Sequence, residues 1–406
     1  MNSLKSVFSR PFSFLLLTLF LSEAGSTMVT PLLPFLFFAT DSSFFDVTTS
    51  HEVRAIGYGY ATAAIRMGAF MASVFLGLAM DRWGRRSVLF LSCFGLACSM
   101  GALALSVDWG AFAMFIAGLF FCNLLYAGKQ AAQTMVGDER GSKVKLFRMS
   151  LLQSGIALGA CLGPMISGNL AHFLNILYWP FWLAAGFAII AALVALFSIR
   201  ETVLKPAPQA EGYRFLKVVK ERPVQRLILQ LFLTQLSWGT YYEFSPLVGK
   251  LSFGFTSQMT GFFVGMIAAW LVVGSALILP WLSKVISYGA LKSLSVLGML
   301  FGICLACFFQ SAALFWVGAF FVAVGDVMIY ILIVNELSDK VPSHYQGRMT
   351  GVVYTVITLT WSFTGVLGGY LTAYDRYGAL WFSGLGVLIL AGYFVWKGMV
   401  NRVNPQ

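Results

Sequence analysis

The chain has 406 residues, of which 59% are hydrophobic and only 11% charged, with a mean hydropathy of +0.81. A soluble domain of this length needs a far larger charged surface, so the composition excludes a soluble enzyme or binding module. The net charge of +11 would point to nucleic acid in a soluble protein, but the placement of the charges, given below, accounts for it without nucleic acid.

Lipid leaves every backbone polar group to be satisfied internally, so only helices or closed barrels span it. The apolar runs here are about 20 residues or longer, which fits helices and not alternating barrel strands. An all-α membrane protein of twelve helices in two six-helix halves is therefore expected. Helices are predicted near 11–38, 54–79, 87–107, 111–136, 147–171, 178–199, 224–249, 259–281, 290–310, 313–337, 348–372 and 377–397. The first run is too long for a secretory signal and ends in Pro31-Leu-Leu-Pro34, without a small-residue cleavage site. Cys93, Cys98, Cys122, Cys161, Cys304 and Cys307 all fall inside apolar runs at no metal or redox spacing, and read as small buried side chains. His51, His172 and His344 fall at loops or helix ends. No metal, cofactor or nucleotide motif is expected, and no catalytic nucleophile with its base.

The longest polar break, Arg200 to Arg222, carries Pro206, Pro208 and mixed charge. It divides the chain into an N-terminal bundle (1–199), a cytoplasmic linker (200–223) and a C-terminal bundle (224–406). With the N-terminus in the cytoplasm, Arg54, Lys250 and Arg376 fall outside, Arg66 and Lys129 fall within helices, and the other 22 of the 27 Lys and Arg fall inside. That asymmetry is the positive-inside rule. It predicts a multi-pass protein of a cell's inner membrane, with both termini cytoplasmic. The halves also resemble one another. Gly118-Leu-Phe-Phe recurs as Gly318-Ala-Phe-Phe, Arg148-Met-Ser as Arg348-Met-Thr, and Gly168 as Gly368, all at one offset of 200 residues. A parallel internal repeat is a hallmark of secondary transporters, whose substrate site lies between halves.

The sharpest motif lies between the second and third helices: Gly77-x-x-x-Asp81-Arg82-x-Gly84-Arg85-Arg86. Gly77 permits close helix approach, Asp81 can meet a helix N-terminus or an arginine, and Gly84 makes a tight turn. Arg85 and Arg86 can face phosphate headgroups or acidic partners. The pattern closely resembles the loop signature of the major facilitator superfamily. Gly25-x5-Pro31-x-x-Pro34 and Gly159-x3-Gly163-Pro164-x-x-Ser167-Gly168 resemble motifs of its twelve-helix drug/proton antiporter branch, with Ser167 replacing the usual glycine. The resemblance implies the major facilitator fold, a small-molecule substrate, protons as coupling ion and a monomer in the bilayer. It also implies that the Gly77–Arg86 loop, with Asp138 facing it, is a cytoplasmic gate, and that Gly159, Gly163, Pro164 and Gly168 pack helices. Two departures stand out. The stretch Phe115 to Asn123 lacks the family's fourth-helix arginine, and the second-half loop, Leu282 to Gly289, keeps the glycine but loses the aspartate.

Ionisable groups at bilayer depth cost about 3 kcal/mol or more and so mark function. Glu23, Arg66, Lys129, Glu243 and Asp326 are such groups. Glu23 shares a helical face with Ser26, Thr27 and Thr30 and is the first expectation for the proton carrier, with Asp326 second. Lys129 extends a polar stripe with Tyr126, Asn123 and Gln133, and Gln235, Trp238, Tyr241 and Tyr242 add an aromatic one. These residues, with Arg66 and Glu243, are the expected substrate contacts. Arg66 either pairs with Glu23 or binds an anionic group. Lys129 either helps it or reaches the cytoplasmic surface. Glu243 either lies in the cavity or is solvated at the outer interface. The leading expectation is proton-coupled export of a small molecule, as in multidrug efflux. The alternative is proton-coupled import of an anionic or zwitterionic solute such as a metabolite or siderophore, with a lipid flippase behind both.

Overall fold

A computed structural model describes residues 10–39, 42–126, 128–137, 142–199, 201, 218–342 and 346–403. Helices account for almost all of them, and no strand occurs among the described residues. The first half runs α1 (Arg10–Thr27), α2 (Leu33–Phe38), α3 (His51–Trp83), α4 (Arg85–Asp108), α5 (Phe112–Leu125), α6 (Gly128–Gly137), α7 (Ser142–Leu174) and α8 (Trp179–Ser198). The second half runs α9 (Arg222–Phe253), α10 (Ser257–Val273), α11 (Leu279–Leu282), α12 (Tyr288–Phe308), α13 (Ala312–Asp339), α14 (Gln346–Tyr374) and α15 (Gly378–Val403).

These segments make the twelve rods expected, because α1 with α2, α5 with α6 and α10 with α11 each continue one another. Nine rods among the described residues are long and apolar enough to cross a membrane. Among the described residues α9, which carries the run Gln235 to Glu243, is too polar to meet that measure.

Three rods predicted as continuous are interrupted, each for a local reason. Pro31 and Pro34 lack N–H donors, so the chain tightens after α1 into a 3₁₀ turn over Thr30–Leu32, and Leu32 N–H donates to the Val29 carbonyl at 3.1 Å. The fourth rod leaves the helix at Tyr126 (φ −84°, ψ 96°) and resumes at Gly128. The eighth widens into a π turn over Gly274–Ile278, directly before Pro280. Such turns cluster where a helix must re-aim its side chains.

The described residues form two compact units. The first takes Met1–Ser50, Ala64–Ala207 and Phe255–Ala268. Its core joins Leu15 and Leu19 of α1, Leu89 and Cys93 of α4, Ala131 and Met135 of α6, Leu152 of α7 and Ala191 of α8. Here α7 is a shared wall. Gly159 and Gly163 lie against α1, while Gly168 meets α10, where a Cβ on Gly168 would lie 2.9 Å from the Gly261 Cα. Only glycine allows that backbone-to-backbone approach, and Gln258 Nε2 donates across it to Asn169 Oδ1 at 2.8 Å.

The second unit takes His51–Ala63, Pro208–Gly254 and Ala269–Gln406. Leu279, Leu291, Val324, Met328 and Leu332 form one of its cores. The first stretch of α3, His51–Ala63, belongs to it: a Cβ on Gly59 would lie 2.7 Å from the Gly365 carbonyl oxygen of α14, and Tyr58 donates to the Glu243 carbonyl of α9 at 2.6 Å.

Candidate functional site

Within the first unit, Glu23 is the centre of a buried polar group. It is 3% exposed. Its Oε1 lies 2.6 Å from Lys129 Nζ, and its Oε2 accepts from the Tyr126 hydroxyl at 3.0 Å. Ser22 Oγ stands 3.3 Å from the same hydroxyl. Tyr126 stands at the end of α5 and Lys129 in the first turn of α6, and these two side chains, three residues apart, converge on one carboxylate. Gly159 of α7 closes the other side, where a Cβ would lie 2.9 Å from the Glu23 Cβ.

The partners differ from those expected. Ser26 and Thr27 turn back to the Glu23 main-chain carbonyl, at 3.0 and 2.9 Å, and so satisfy their own helix. The cation on the Glu23 carboxylate is Lys129, where pairing with Arg66 was one of the two sequence readings of Arg66. The Lys129 side chain stays 38% exposed while it pairs with Glu23. Arg66 is half-buried on α3, near Gly68, which lies against the Phe120–Leu124 turn of α5. Asn123 donates to the Leu119 carbonyl of its own helix at 3.2 Å. Gln133 is half-buried one turn beyond Lys129.

In the second unit, Asp326 is buried on α13 and its Oδ1 has no hydrogen-bond partner among the described residues. Glu243 is buried at 4%, which removes the expectation of a solvated carboxylate at the outer interface. Trp238 and Tyr241 are buried at 4% and 0%. Tyr242 is half-exposed, and its ring lies 5.5 Å from that of Trp238 and 5.8 Å from that of Trp361. Trp361 Nε1–H donates to Gln235 Oε1 at 3.0 Å. Trp361 had no charge to flag it in the sequence, and an aromatic in an apolar helix reads as lipid-facing.

At the loop motif, Gly77 and Asp81 lie in the last turns of α3, where the Asp81 side chain is outside the described residues, as is Asp138. Arg82 is exposed. Gly84 adopts φ +83°, a left-handed conformation that favours glycine, and starts α4. The N–H groups of Arg85 and Arg86 donate to the Glu201 carboxylate at 2.8 and 3.1 Å, and the Arg86 guanidinium donates to the Leu196 carbonyl. Glu201 therefore meets the positive end of the α4 dipole and ties the loop to the end of α8. Sequence reasoning missed it because it stands alone at the edge of a polar linker. A second ion pair joins Lys292 of α12 to Glu336 of α13, and Lys292 is buried.

Twelve helical rods, nine of them long and apolar enough to cross a membrane, an internal repeat and the first-half loop motif point to a secondary transporter. The sequence model of the Major Facilitator Superfamily matches residues 15–365, and the chain belongs to that family. Among curated proteins it is similar to the Multidrug resistance protein MdtG of Escherichia coli strain SMS-3-5, with 24% identity across 95% of this chain and 94% of the relative. Among solved structures, a D-xylose-proton symporter superposes with a TM-score of 0.76 at 14% identity, covering 95% of this chain and 97% of that one. The human organic anion transporter MFSD10 does so with a TM-score of 0.66 at 17% identity, covering 95% and 99%. At such identities the structures establish the fold.

Proposed function

We propose that this chain exports small molecules by proton-coupled alternating access of its two six-helix halves, 1–199 and 224–406, from an inner membrane in which both termini face the cytoplasm. The observation that carries the proposal is the Glu23 carboxylate, held by Lys129 at 2.6 Å and Tyr126 at 3.0 Å. A proton and Lys129 compete for the same oxygen. When the proton binds, the ion pair is lost and the short helix α6 loses its tie to α1. When it leaves, the tie re-forms. A local event at one carboxylate thus moves a helix that begins at a break. Asp326 is a second protonation candidate, buried with one oxygen unpartnered among the described residues. Export is supported by the similarity to the Multidrug resistance protein MdtG.

In everted vesicles, Glu23→Gln is expected to abolish gradient-driven uptake while substrate binding stays detectable. Full transport in that variant removes Glu23 from the coupling step.

The second reading, import of an anionic or zwitterionic solute, is favoured by Arg66, a half-buried cation within α3. Arg66→Ala is expected to lose anionic and retain cationic substrates on that reading. Equal loss of both assigns Arg66 a structural part.

A further inference from the structure

We propose that the substrate presents a flat unsaturated ring to an aromatic wall made by Tyr242 of α9 and Trp361 of α14, with Trp238 behind them and Gln235 as the positioning residue. The proposal rests on the transporter reading and names the chemistry its substrate must carry.

From Thr234 to Gly249 every residue of α9 is buried except Tyr242, which is half-exposed. A helix facing lipid would expose a stripe and not a single ring, so Tyr242 looks onto space that the rest of α9 does not reach. Trp361 is likewise half-exposed, whereas Leu359 and Phe363, two residues to either side, are exposed at 49% and 55%. Residues two apart on a helix point about 200° from one another, so Trp361 lies across α14 from that apolar face.

The two rings are held in place by a built arrangement. Gly239 lies directly against Trp361, where a Cβ would stand 2.8 Å from the indole Cδ1. Gln235, one turn earlier, accepts the indole N–H at 3.0 Å. Gly239 therefore makes the room and Gln235 fixes the ring orientation. The ring planes of Tyr242 and Trp361 are 39° apart at 5.8 Å, and those of Trp238 and Tyr242 are 36° apart at 5.5 Å. Trp361 spends its only donor on Gln235, so what it offers a ligand is its π face. Stacking accepts a flat ring of either charge, so the wall selects for ring shape and not for charge.

The test uses the purified full chain and calorimetric titration with two probe pairs matched in charge and size. N-methylquinolinium is compared with its ring-saturated counterpart, and 2-naphthoate with decahydro-2-naphthoate. The wild type is expected to prefer the aromatic member of at least one pair by about three- to tenfold. Tyr242→Ala and Trp361→Ala should each remove the preference, Trp361→Phe should retain most of it, and Gln235→Ala should weaken it with no contact of its own to the probe. Thermal unfolding of each variant separates a lost wall from a lost fold. The proposal is overturned if neither aromatic probe binds, if the wild type shows no preference, or if a folded Tyr242→Ala and Trp361→Ala both keep it. Proton-driven uptake is scored separately in proteoliposomes. A protein that keeps the aromatic preference yet ignores the proton gradient overturns the coupling reading and leaves the wall standing.

Discussion

Glu23 and Lys129 illustrate how a buried pair should respond to mutation. Glu23 is enclosed while Lys129 is 38% exposed. Lys129→Gln therefore strands a desolvated carboxylate, but solvent on the lysine side softens the loss. A destabilisation of about 1–3 kcal/mol is expected, below the full cost of breaking an enclosed pair. The double variant Glu23→Gln/Lys129→Gln should recover most of it, because no unpaired charge is left. Simple addition of the two single losses in thermal unfolding would contradict the pairing. The two residues were legible in the sequence as charges inside apolar runs. Their pairing was not, because it joins α1 to α6, two helices far apart in the chain, and neither helix alone says which neighbour its charge faces. Trp361 and Glu201 were missed for the opposite reason: each is ordinary for its surroundings, and only its contacts mark it.

Helix breaks and helix contacts decide the next level. Pro31 and Pro34 stood in the sequence beside a tightened turn that was not drawn from them, since a proline at a helix start is also compatible with an unbroken rod. The π turn before Pro280 was likewise invisible, because its residues are as apolar as those of a regular helix. The glycines of α7 are expected from the sequence as small-residue packing positions, and the neighbour each one meets is visible only in three dimensions. Gly159 abuts Glu23, whereas Gly168 abuts Gly261. Gly168→Leu should therefore cost about 1–3 kcal/mol of overpacking strain and block any motion of α10 against α7. Its signature is loss of transport in a protein that still binds ligand. Full transport would show that the seam between α7 and α10 yields freely. At the other end of the first unit, Glu201→Gln weakens an anion at a helix N-terminus. About 0.5–1 kcal/mol of stability should be lost at low ionic strength and less at high salt, measured by thermal unfolding at both. An unchanged midpoint at low salt removes Glu201 as the anchor of the loop.

Composition and charge placement alone defined the whole molecule as a membrane protein, because a chain with 59% hydrophobic residues has few other solvents. The loop from Gly77 to Arg86 and the two glycine–proline runs then led to the major facilitator superfamily, which the family match over residues 15–365 establishes. Cargo and direction were not legible, since the motifs govern packing and gating while the cargo is met by scattered side chains. The account stands on Glu23 exchanging Lys129 for a proton. The most direct measurement is uptake of a fluorescent aromatic probe such as ethidium into everted vesicles under an imposed proton gradient, comparing wild type with Glu23→Gln and Asp326→Asn. The account predicts uptake by the wild type that a protonophore abolishes, none by Glu23→Gln, and probe binding retained in all three. Gradient-driven uptake by Glu23→Gln at the wild-type rate, or wild-type uptake indifferent to the protonophore, would contradict it.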